Sequence, residues 1–284
     1  MKKAKRLAAL VLGAAMLFTC ALSGCGGGDA QGGGEGGGAA AATTSKLDQI
    51  MDAGKIVVGV NPPGEPICFY DDKGELIGYD IDWAKKLAET LGVEIEFVDV
   101  NGETRLSAVT SGRVDLIFAN ITGNLERAKT INFSMPYLRT GIKMLTAAGS
   151  NYHIIADLNT PDATVCLAPG TTMEALVLEQ APNCKISYVE SFSEQVLALQ
   201  QGKCDAIFED GTSIDYIAGQ NEGLEAQPTV YTSDPICIGY IKGDPDLARY
   251  LDMFVSTMIS NGFQADTYAK WFGSEYTGTL TTIW

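Results

Sequence analysis

The chain has 284 residues, of which 46% are hydrophobic and 19% charged, and its formal net charge at pH 7 is −15. This acidic balance argues against nucleic-acid binding, which needs a basic surface. The sequence holds one histidine and no cysteine pair at CxxC spacing, which argues against a zinc cluster or a histidine-based triad.

The first 24 residues have the pattern of a secretory signal peptide. Four basic residues precede an apolar stretch at 7–21, which is too short for a comfortable membrane span. The letters LSGC at 22–25 resemble the bacterial lipobox and predict cleavage before Cys25 and lipidation of its thiol. An ordinary secretory signal with a chance cysteine is the alternative. Cleavage would remove four positive charges and lower the net charge from −15 to −19.

Residues 25–45 are predicted to form a flexible tether. They are mostly glycine, alanine and threonine, and such a segment cannot bury enough apolar surface to fold. A random coil of about 20 residues reaches roughly 25 Å. The tether would therefore hold a folded body just above a membrane.

The body begins with alternating strand and helix patterns. In chain order these are a strand at 55–60, a turn at 71–74, a helix at 80–92, a strand at 93–97, a helix at 104–111 and a strand at 114–118. The helix at 80–92 is capped by Asp80 and ended by Gly92. This order predicts an α/β fold with a mainly parallel sheet.

The same succession returns in the second half of the chain. It consists of a strand at 164–167, a helix at 171–179, a strand at 185–189, a helix at 191–201 and a strand at 205–209. The letters GRVDLIF at 112–118 match GKCDAIF at 202–208, an offset of 90 residues. Two related lobes explain both the match and the order, whereas chance similarity of two α/β units is the alternative.

Two extended apolar runs, at 141–147 and 236–241, are predicted to be the strands that join the lobes. Lobe one would then hold residues 46–141 and 240–284, and lobe two residues 142–239. A long helix at 245–259 and a last helix that reaches Trp271 complete lobe one. Two lobes joined by two strands form a cleft that closes by hinge bending.

Polar side chains follow the equivalent strands of the two lobes. Asn120 and Asp210 are one repeat apart, and ligands of open α/β sheets bind beyond the carboxyl ends of strands, so the two residues should face each other. Arg127 in lobe one and Asp210 in lobe two would suit a ligand that carries a carboxylate and an ammonium group. A surface ion pair of Arg127 with Glu126 or Asp115, and a helix N-cap at Asp210, are the alternatives.

Several segments resemble the bacterial extracellular solute-binding proteins of family 3, the polar amino acid binders of ABC importers. They are GYDID at 78–82, SGRVDLIFANITGNLERAKTINFSMPY at 111–137, GTT at 170–172, GKCDAIFED at 202–210 and KWFG at 270–273. The resemblance covers nearly all of residues 46–274. It implies a two-lobed periplasmic-binding-protein fold of type II with two hinge strands. It also implies capture of a free polar amino acid for an ABC permease in the cytoplasmic membrane, without catalysis, cofactor or metal.

The resemblance also implies which residues bind the ligand. Arg127 would hold the α-carboxylate with Thr122 and the region of Thr172, and Asp210 would hold the α-amino group. The implied ligand-binding residues are Arg127, Asp210, Thr122, Asn120, Thr172, Gly170, Asn61, Phe69, Arg105 and Glu65. Many relatives carry an aromatic residue near Gly64 and a phenylalanine at Ile67, so Phe69 or Tyr70 is expected to hold the ligand's side chain here.

Arg105 bears on the choice of ligand. In the acidic amino acid binders that this stretch resembles, an arginine at this place reaches the side-chain carboxylate, which favours glutamate or aspartate. Glu65 points instead to a basic ligand. Two other functions stay open: a cyclohexadienyl (prephenate or arogenate) dehydratase with Glu65 as general acid, or the ligand-sensing domain of a receptor complex.

The sequence also predicts the protein's setting. We expect a monomer outside the cytoplasm, anchored to the cell membrane by its lipid, on the periplasmic face or the cell surface. Cys166 and Cys184 lie on strands expected to be neighbours, which predicts a disulfide between them. Separate buried thiols are the alternative.

Overall fold

A computed structural model describes residues 44–280. The predicted signal peptide, the lipidation site Cys25 and nearly all of the predicted tether lie outside the described residues. None of the described helices combines the length and the apolar character that a membrane crossing requires.

The described residues form eight helices and twelve strands, with short 3-10 turns at Arg127–Lys129 and Ile155–Leu158. In chain order they are α1 (Lys46–Ala53), β1 (Lys55–Val60), β2 (Phe69–Tyr70), β3 (Leu76–Ile77), α2 (Tyr79–Leu91), β4 (Glu94–Asp99), α3 (Arg105–Thr110), β5 (Leu116–Ile117), β6 (Asn132–Thr140), β7 (Ile142–Ala147), β8 (Thr164–Leu167), α4 (Thr172–Gln180), β9 (Lys185–Tyr188), α5 (Phe192–Gln200), β10 (Ala206–Asp210), α6 (Gly211–Gln220), β11 (Leu224–Ala226), β12 (Asp234–Tyr240), α7 (Pro245–Ser260) and α8 (Phe263–Phe272).

Two five-stranded sheets organise the chain, in the orders β4-β1-β5-β12-β6 and β9-β8-β10-β7-β11. Each begins with three parallel strands and continues into a strand that runs antiparallel to them. Each sheet has its own buried apolar clusters. This arrangement confirms the predicted α/β fold with two related lobes.

The repeated letters have a structural reason. A carboxylate oxygen of Asp115 accepts a hydrogen bond of 2.8 Å from the backbone N–H of Val57 in β1. Asp205, 90 positions later, accepts one of 2.7 Å from the N–H of Thr164 in β8. The equivalent aspartate of each lobe therefore accepts from a backbone N–H of the neighbouring strand. A buried N–H without a partner would be costly.

The crossings between the lobes differ from the predicted boundary. The first lies at Gly141, between β6 and β7. The second lies in 227–233, because β12 pairs with β5 and β6 of the first sheet. Residues 234–239 were expected in lobe two but belong to lobe one. The run at 236–241 is apolar because it is buried inside the first sheet, not because it crosses the cleft.

An aromatic cluster fixes the start of α2, where Asp80 lies. Tyr79, Trp83 and Tyr137 are fully buried, and their ring centroids are 5.1 to 6.2 Å apart. Each fully buried large side chain contributes roughly 1.5–3 kcal/mol through removal of apolar surface from water. The first turn of α2, which carries Asp80, therefore packs on a buried aromatic cluster.

Candidate functional site

A cavity lies between the two lobes, at the carboxyl ends of the parallel strands. Both lobes contribute polar side chains to its wall. These include Asn61, Asp80, Arg105, Asn120 and Thr122 from lobe one, and Thr171, Thr172, Glu190, Gln195, Glu209 and Ser213 from lobe two.

The lobes touch each other around this cavity. Asn101 Nδ2 donates a 3.0 Å hydrogen bond to Glu190 Oε2, and the Tyr216 hydroxyl donates one of 2.8 Å to Glu65 Oε1. The backbones meet at Gly102, where an added Cβ would lie 2.4 Å from the carbonyl oxygen of Pro169. The structure therefore shows the closed arrangement of the cleft.

Asn120 and Asp210 meet across the cleft. Asn120 Nδ2 donates a 2.7 Å hydrogen bond to Asp210 Oδ2. Asp210 stands at the N-cap position of α6, yet its side chain makes no capping bond, so the alternative of a helix cap does not hold. Within the described part of the chain, Asp210 Oδ1 and Asn120 Oδ1 are buried and have no hydrogen-bond partner. Two unpaired acceptors thus belong to residues that contact each other.

Asp80 holds Asn120 in place. Asn120 has the left-handed backbone angle φ of 46°, which non-glycine residues seldom adopt. Its N–H donates a 2.7 Å bond to Asp80 Oδ2, and the hydroxyl of Tyr137 donates one of 2.6 Å to Asp80 Oδ1. Burial raises the pKa of Asp80 to about 6, although these two bonds oppose the rise.

The environment of Asp210 disfavours its charged form. Burial is the main cause that raises its pKa well above the ordinary value, followed by repulsion from the carboxylates of Glu209 and Asp234. The bond from Asn120 and the charge of Arg105 act in the opposite direction. A bound cation at Asp210 Oδ1 would lower this pKa again, since it favours the carboxylate.

Arg127 also connects the lobes. Its side chain is 9% exposed, and burial lowers its pKa. Nη1 donates a 3.0 Å bond to the carbonyl of Thr122, and Nη2 donates one of 3.1 Å to the carbonyl of Gly170 in lobe two. The suggested surface ion pairs are not formed, because Glu126 pairs with Lys129 and Asp115 with Lys46.

Arg105 is the second cation of the cleft. It begins α3 and is 4% exposed. Its Nη1 donates a 3.0 Å bond to the carbonyl of Ala119, while its Nε has no hydrogen-bond partner in residues 44–280. Burial lowers the pKa of Arg105 to about 9, with a contribution from the charge of Arg127, whereas Glu209 and Asp210 oppose that change.

Five of the ten predicted ligand-binding residues are not among the described residues that line the cavity: Arg127, Asp210, Gly170, Phe69 and Glu65. Arg127 and Asp210 nevertheless bond to the lining residues Thr122 and Asn120, whereas Phe69 and Glu65 make their contacts elsewhere. Phe69 is not one of the described residues that line the cavity, and its ring packs edge-on against Trp271 with a centroid distance of 5.7 Å. The strand β2 turns it towards α8, which the one-dimensional pattern does not reveal. Tyr70 is half-exposed and is also absent from that wall. Glu65 joins the lobes through Tyr216 and is likewise not among the described lining residues.

Sequence reasoning missed part of the wall supplied by lobe two. Glu209, Gln195, Met173 and Phe192 line the cavity. Gln195 had a detectable signal, because it lies beside Phe192 and Val196 on the buried face of α5 although it is polar. A polar residue on an apolar helix face is a reason to look for a site.

The predicted disulfide is wrong. Cys166 and Cys184 are both free thiols. The parallel register of β8 and β9 pairs Cys166 with Ser187, and Cys184 precedes β9. The strands are neighbours as expected, but the two cysteines stand at different heights along them.

The chain matches known proteins over most of its length. The family model for "Bacterial extracellular solute-binding proteins, family 3" matches residues 56–274. The chain is 30% identical over 229 residues to the ABC transporter glutamine-binding protein GlnH of Bacillus subtilis (strain 168), which covers 79% of this chain and 84% of the relative.

Two further matches concern an enzyme and its ancestor. The crystal structure of the ancestral amino acid-binding protein AncCDT-1, a precursor of cyclohexadienyl dehydratase, superimposes with a TM-score of 0.76 at 32% identity and covers 80% of this chain and 100% of that one. The cyclohexadienyl dehydratase of Pseudomonas aeruginosa is 28% identical over 171 residues, which is 58% of this chain and 63% of the enzyme.

Proposed function

We propose that this chain, which belongs to the bacterial extracellular solute-binding proteins of family 3, captures a free polar α-amino acid in its cleft for an ABC importer. One observation carries the proposal: Asp210 Oδ1 and Asn120 Oδ1 are buried acceptors without a partner among the described residues, on side chains that bond to each other across the lobes. The amino acid ligands of its relatives support it.

An ammonium group fits these acceptors. It has three donors and no acceptor, so it can bond to both oxygens at once. A buried acceptor without a donor costs roughly 1–3 kcal/mol, more when it is charged. The α-ammonium of an amino acid would therefore remove the cost at both atoms and neutralise the carboxylate of Asp210.

The α-carboxylate would lie near Arg127 and the start of α4. Arg127 already reaches both lobes through Thr122 and Gly170, and a guanidinium can bind a carboxylate with two parallel bonds. The first backbone N–H groups of α4, beside Thr171 and Thr172, lie at the positive end of the helix dipole.

Such a ligand would explain hinge closure. Each end of it would contact both lobes, the ammonium at Asn120 and Asp210 and the carboxylate at Arg127 and the start of α4, so the closed form would bind it more tightly than an open form. Binding then shifts the population towards closure, and a permease can recognise the closed shape.

The dehydratase alternative has weaker support. The general acid considered for it, Glu65, is engaged by the hydroxyl of Tyr216 in the other lobe. The match to the dehydratase also covers less of the chain than the match to the glutamine-binding protein. We therefore propose binding without catalysis.

Anchoring at the membrane is part of the proposal and rests on the sequence. Lipidation of Cys25 would keep the monomeric body at the outer face of the cytoplasmic membrane or in the periplasm. Replacement of Cys25 by alanine should release the protein into the soluble fraction of its host. Retention of that variant in the membrane fraction would contradict the anchor.

The ligand class is tested by calorimetry. The protein is first unfolded to release any bound ligand, then refolded and titrated with free amino acids. Asp210→Asn should weaken binding by about 30-fold or more, as expected when one partner of a buried charge pair is removed. Asp162→Asn, a change of an exposed carboxylate in the same lobe, should leave affinity unchanged. If no amino acid binds after refolding, the proposal is wrong.

A further inference from the structure

Three polar side chains of the cavity wall are not explained by the α-groups of an amino acid. They are Arg105, Gln195 and Glu209, which line the same cavity from the two lobes. Arg105 and Gln195 are 4% and 2% exposed. Polar groups buried this deeply are nearly always bonded, so unpaired atoms on them point to a ligand.

Of these three side chains, two have a buried atom without a hydrogen-bond partner among the described residues: the donor Arg105 Nε and the acceptor Gln195 Oε1. The orientation of the Gln195 amide is fixed, because its Nε2 donates a 2.9 Å bond to the carbonyl of Val189. The wall therefore offers one N–H and one amide oxygen to the ligand's side chain. A carboxamide provides both an acceptor and donors, whereas a carboxylate provides only acceptors and an ammonium only donors.

The charges of the wall lead to the same class of ligand. Arg127 and Asp210 balance the two α-groups. Glu209 lines the same cavity as Arg105, and the charge of each stabilises that of the other, although burial raises the pKa of Glu209. A side-chain carboxylate would therefore enter with no cation left to balance it. A side-chain cation would likewise find the charge of Glu209 already offset by Arg105.

The remaining carboxylates of the wall are already bonded within the protein. Asp80 accepts bonds from Tyr137 and Asn120, and the exposed Glu190 accepts one from Asn101. Both carboxylates therefore already have hydrogen-bond donors within the protein. The apolar part of the wall, which includes Ile67, Met173 and Phe192, can cover the methylene groups of a short side chain.

We propose, on the basis of the amino acid function above, that Glu209 neutralises Arg105 and makes the cleft select an α-amino acid with a neutral carboxamide side chain. The side-chain oxygen accepts from Arg105 Nε, and the side-chain amide donates to Gln195 Oε1. Glu209 is thus a specificity-determining residue, and it reverses the preference for glutamate or aspartate that Arg105 alone would give.

Calorimetric titration of the refolded protein with glutamine, asparagine, glutamate, aspartate and lysine tests this proposal. The wild-type protein should bind glutamine or asparagine at least tenfold more tightly than the matching acid and lysine. Glu209→Gln keeps the oxygen that accepts from the N–H of Asp210 but removes the charge. It should shift the amide-to-acid ratio towards the acid by tenfold or more.

Asp162→Asn is the control, since it removes an exposed carboxylate of the same lobe that is not among the described residues of the wall, and it should leave the ratio unchanged. Gln195→Met gives a second test that does not depend on the folding of the Glu209 variant, and it should weaken binding of the amide tenfold. Tighter wild-type binding of an acidic or basic amino acid, or an unchanged ratio in Glu209→Gln, would overturn this inference and leave the amino acid function intact. Absence of binding by every amino acid would overturn the function itself.

Discussion

The backbone contact at Gly102 gives a direct test of closure. Gly102 belongs to lobe one and Pro169 to lobe two, and an alanine Cβ at 102 would lie 2.4 Å from the Pro169 carbonyl oxygen. Real Cβ contacts are longer than 3.0 Å. Because that neighbour is backbone rather than a flexible side chain, the lobes must separate locally by roughly 1 Å to accept the methyl group.

Separation at this point weakens nearby bonds between the lobes. Arg127 Nη2 would lose its 3.1 Å bond to Gly170, which follows Pro169, and Asn101 would lose its bond to Glu190. A hydrogen bond to a charged group is worth about 1.5–3 kcal/mol. The first bond is partly buried and the second exposed, so we expect a loss near 3 kcal/mol, which corresponds to about 100-fold weaker ligand binding.

Calorimetry and small-angle scattering measure the two consequences. Gly102→Ala should bind its amino acid about 100-fold more weakly and keep a larger radius of gyration at saturating ligand. Gly219→Ala is the control, because nothing lies within 4 Å of the added Cβ. Both variants should melt as cooperatively as the wild type. Wild-type affinity in Gly102→Ala would refute the link between this contact and closure.

Three further predictions concern pH, the hinge and the thiols. Because the folded-state pKa of Asp80 is raised to about 6, the unfolded state ionises first as pH rises, and Asp80 should reduce the free energy of unfolding by up to about 3 kcal/mol between pH 4 and pH 6. Urea unfolding at both pH values should show this fall, and Asp80→Asn should diminish it; an equal fall in the variant would contradict the assignment. Gly141→Ala places a Cβ 2.2 Å from the Thr232 carbonyl oxygen and should lower the free energy of unfolding by about 1–3 kcal/mol in urea unfolding. An unchanged free energy of unfolding would contradict this prediction. Alkylation of the denatured, unreduced protein should modify both Cys166 and Cys184, and a peptide linking them would contradict the free thiols.

The pattern of the sequence predicts the lobes well because their signals are local. The helix pattern at 80–92 becomes α2 (Tyr79–Leu91), and the repeat around Asp115 and Asp205 marks equivalent strand edges. The second crossing was misplaced for a physical reason. A buried central strand and a strand that crosses between lobes are both apolar runs, and only the pairing of β12 with β5 and β6 separates them.

The part of the site that would bind the ligand's side chain is formed by contacts between residues far apart in the sequence, which local sequence patterns do not show. Arg105 suggested an acidic ligand because its stretch resembles the acidic amino acid binders. Glu209 lies 104 positions away, and only the meeting of the lobes shows that it lines the same cavity as Arg105. Phe69 was assigned to the ligand by the same kind of reasoning, yet β2 turns it towards Trp271.

The repeated sequence pattern explains why the two lobes meet at Asn120 and Asp210. Asn120 follows Asp115 by five positions, and Asp210 follows Asp205 by the same five. The two residues therefore lie at equivalent places relative to equivalent strands, and they meet between the lobes. Two aspartates there would repel each other, whereas an amide donates to the carboxylate and stabilises closure. Each side chain still keeps one acceptor oxygen without a partner among the described residues, so under the proposed function the residues that join the lobes would also bind the ligand.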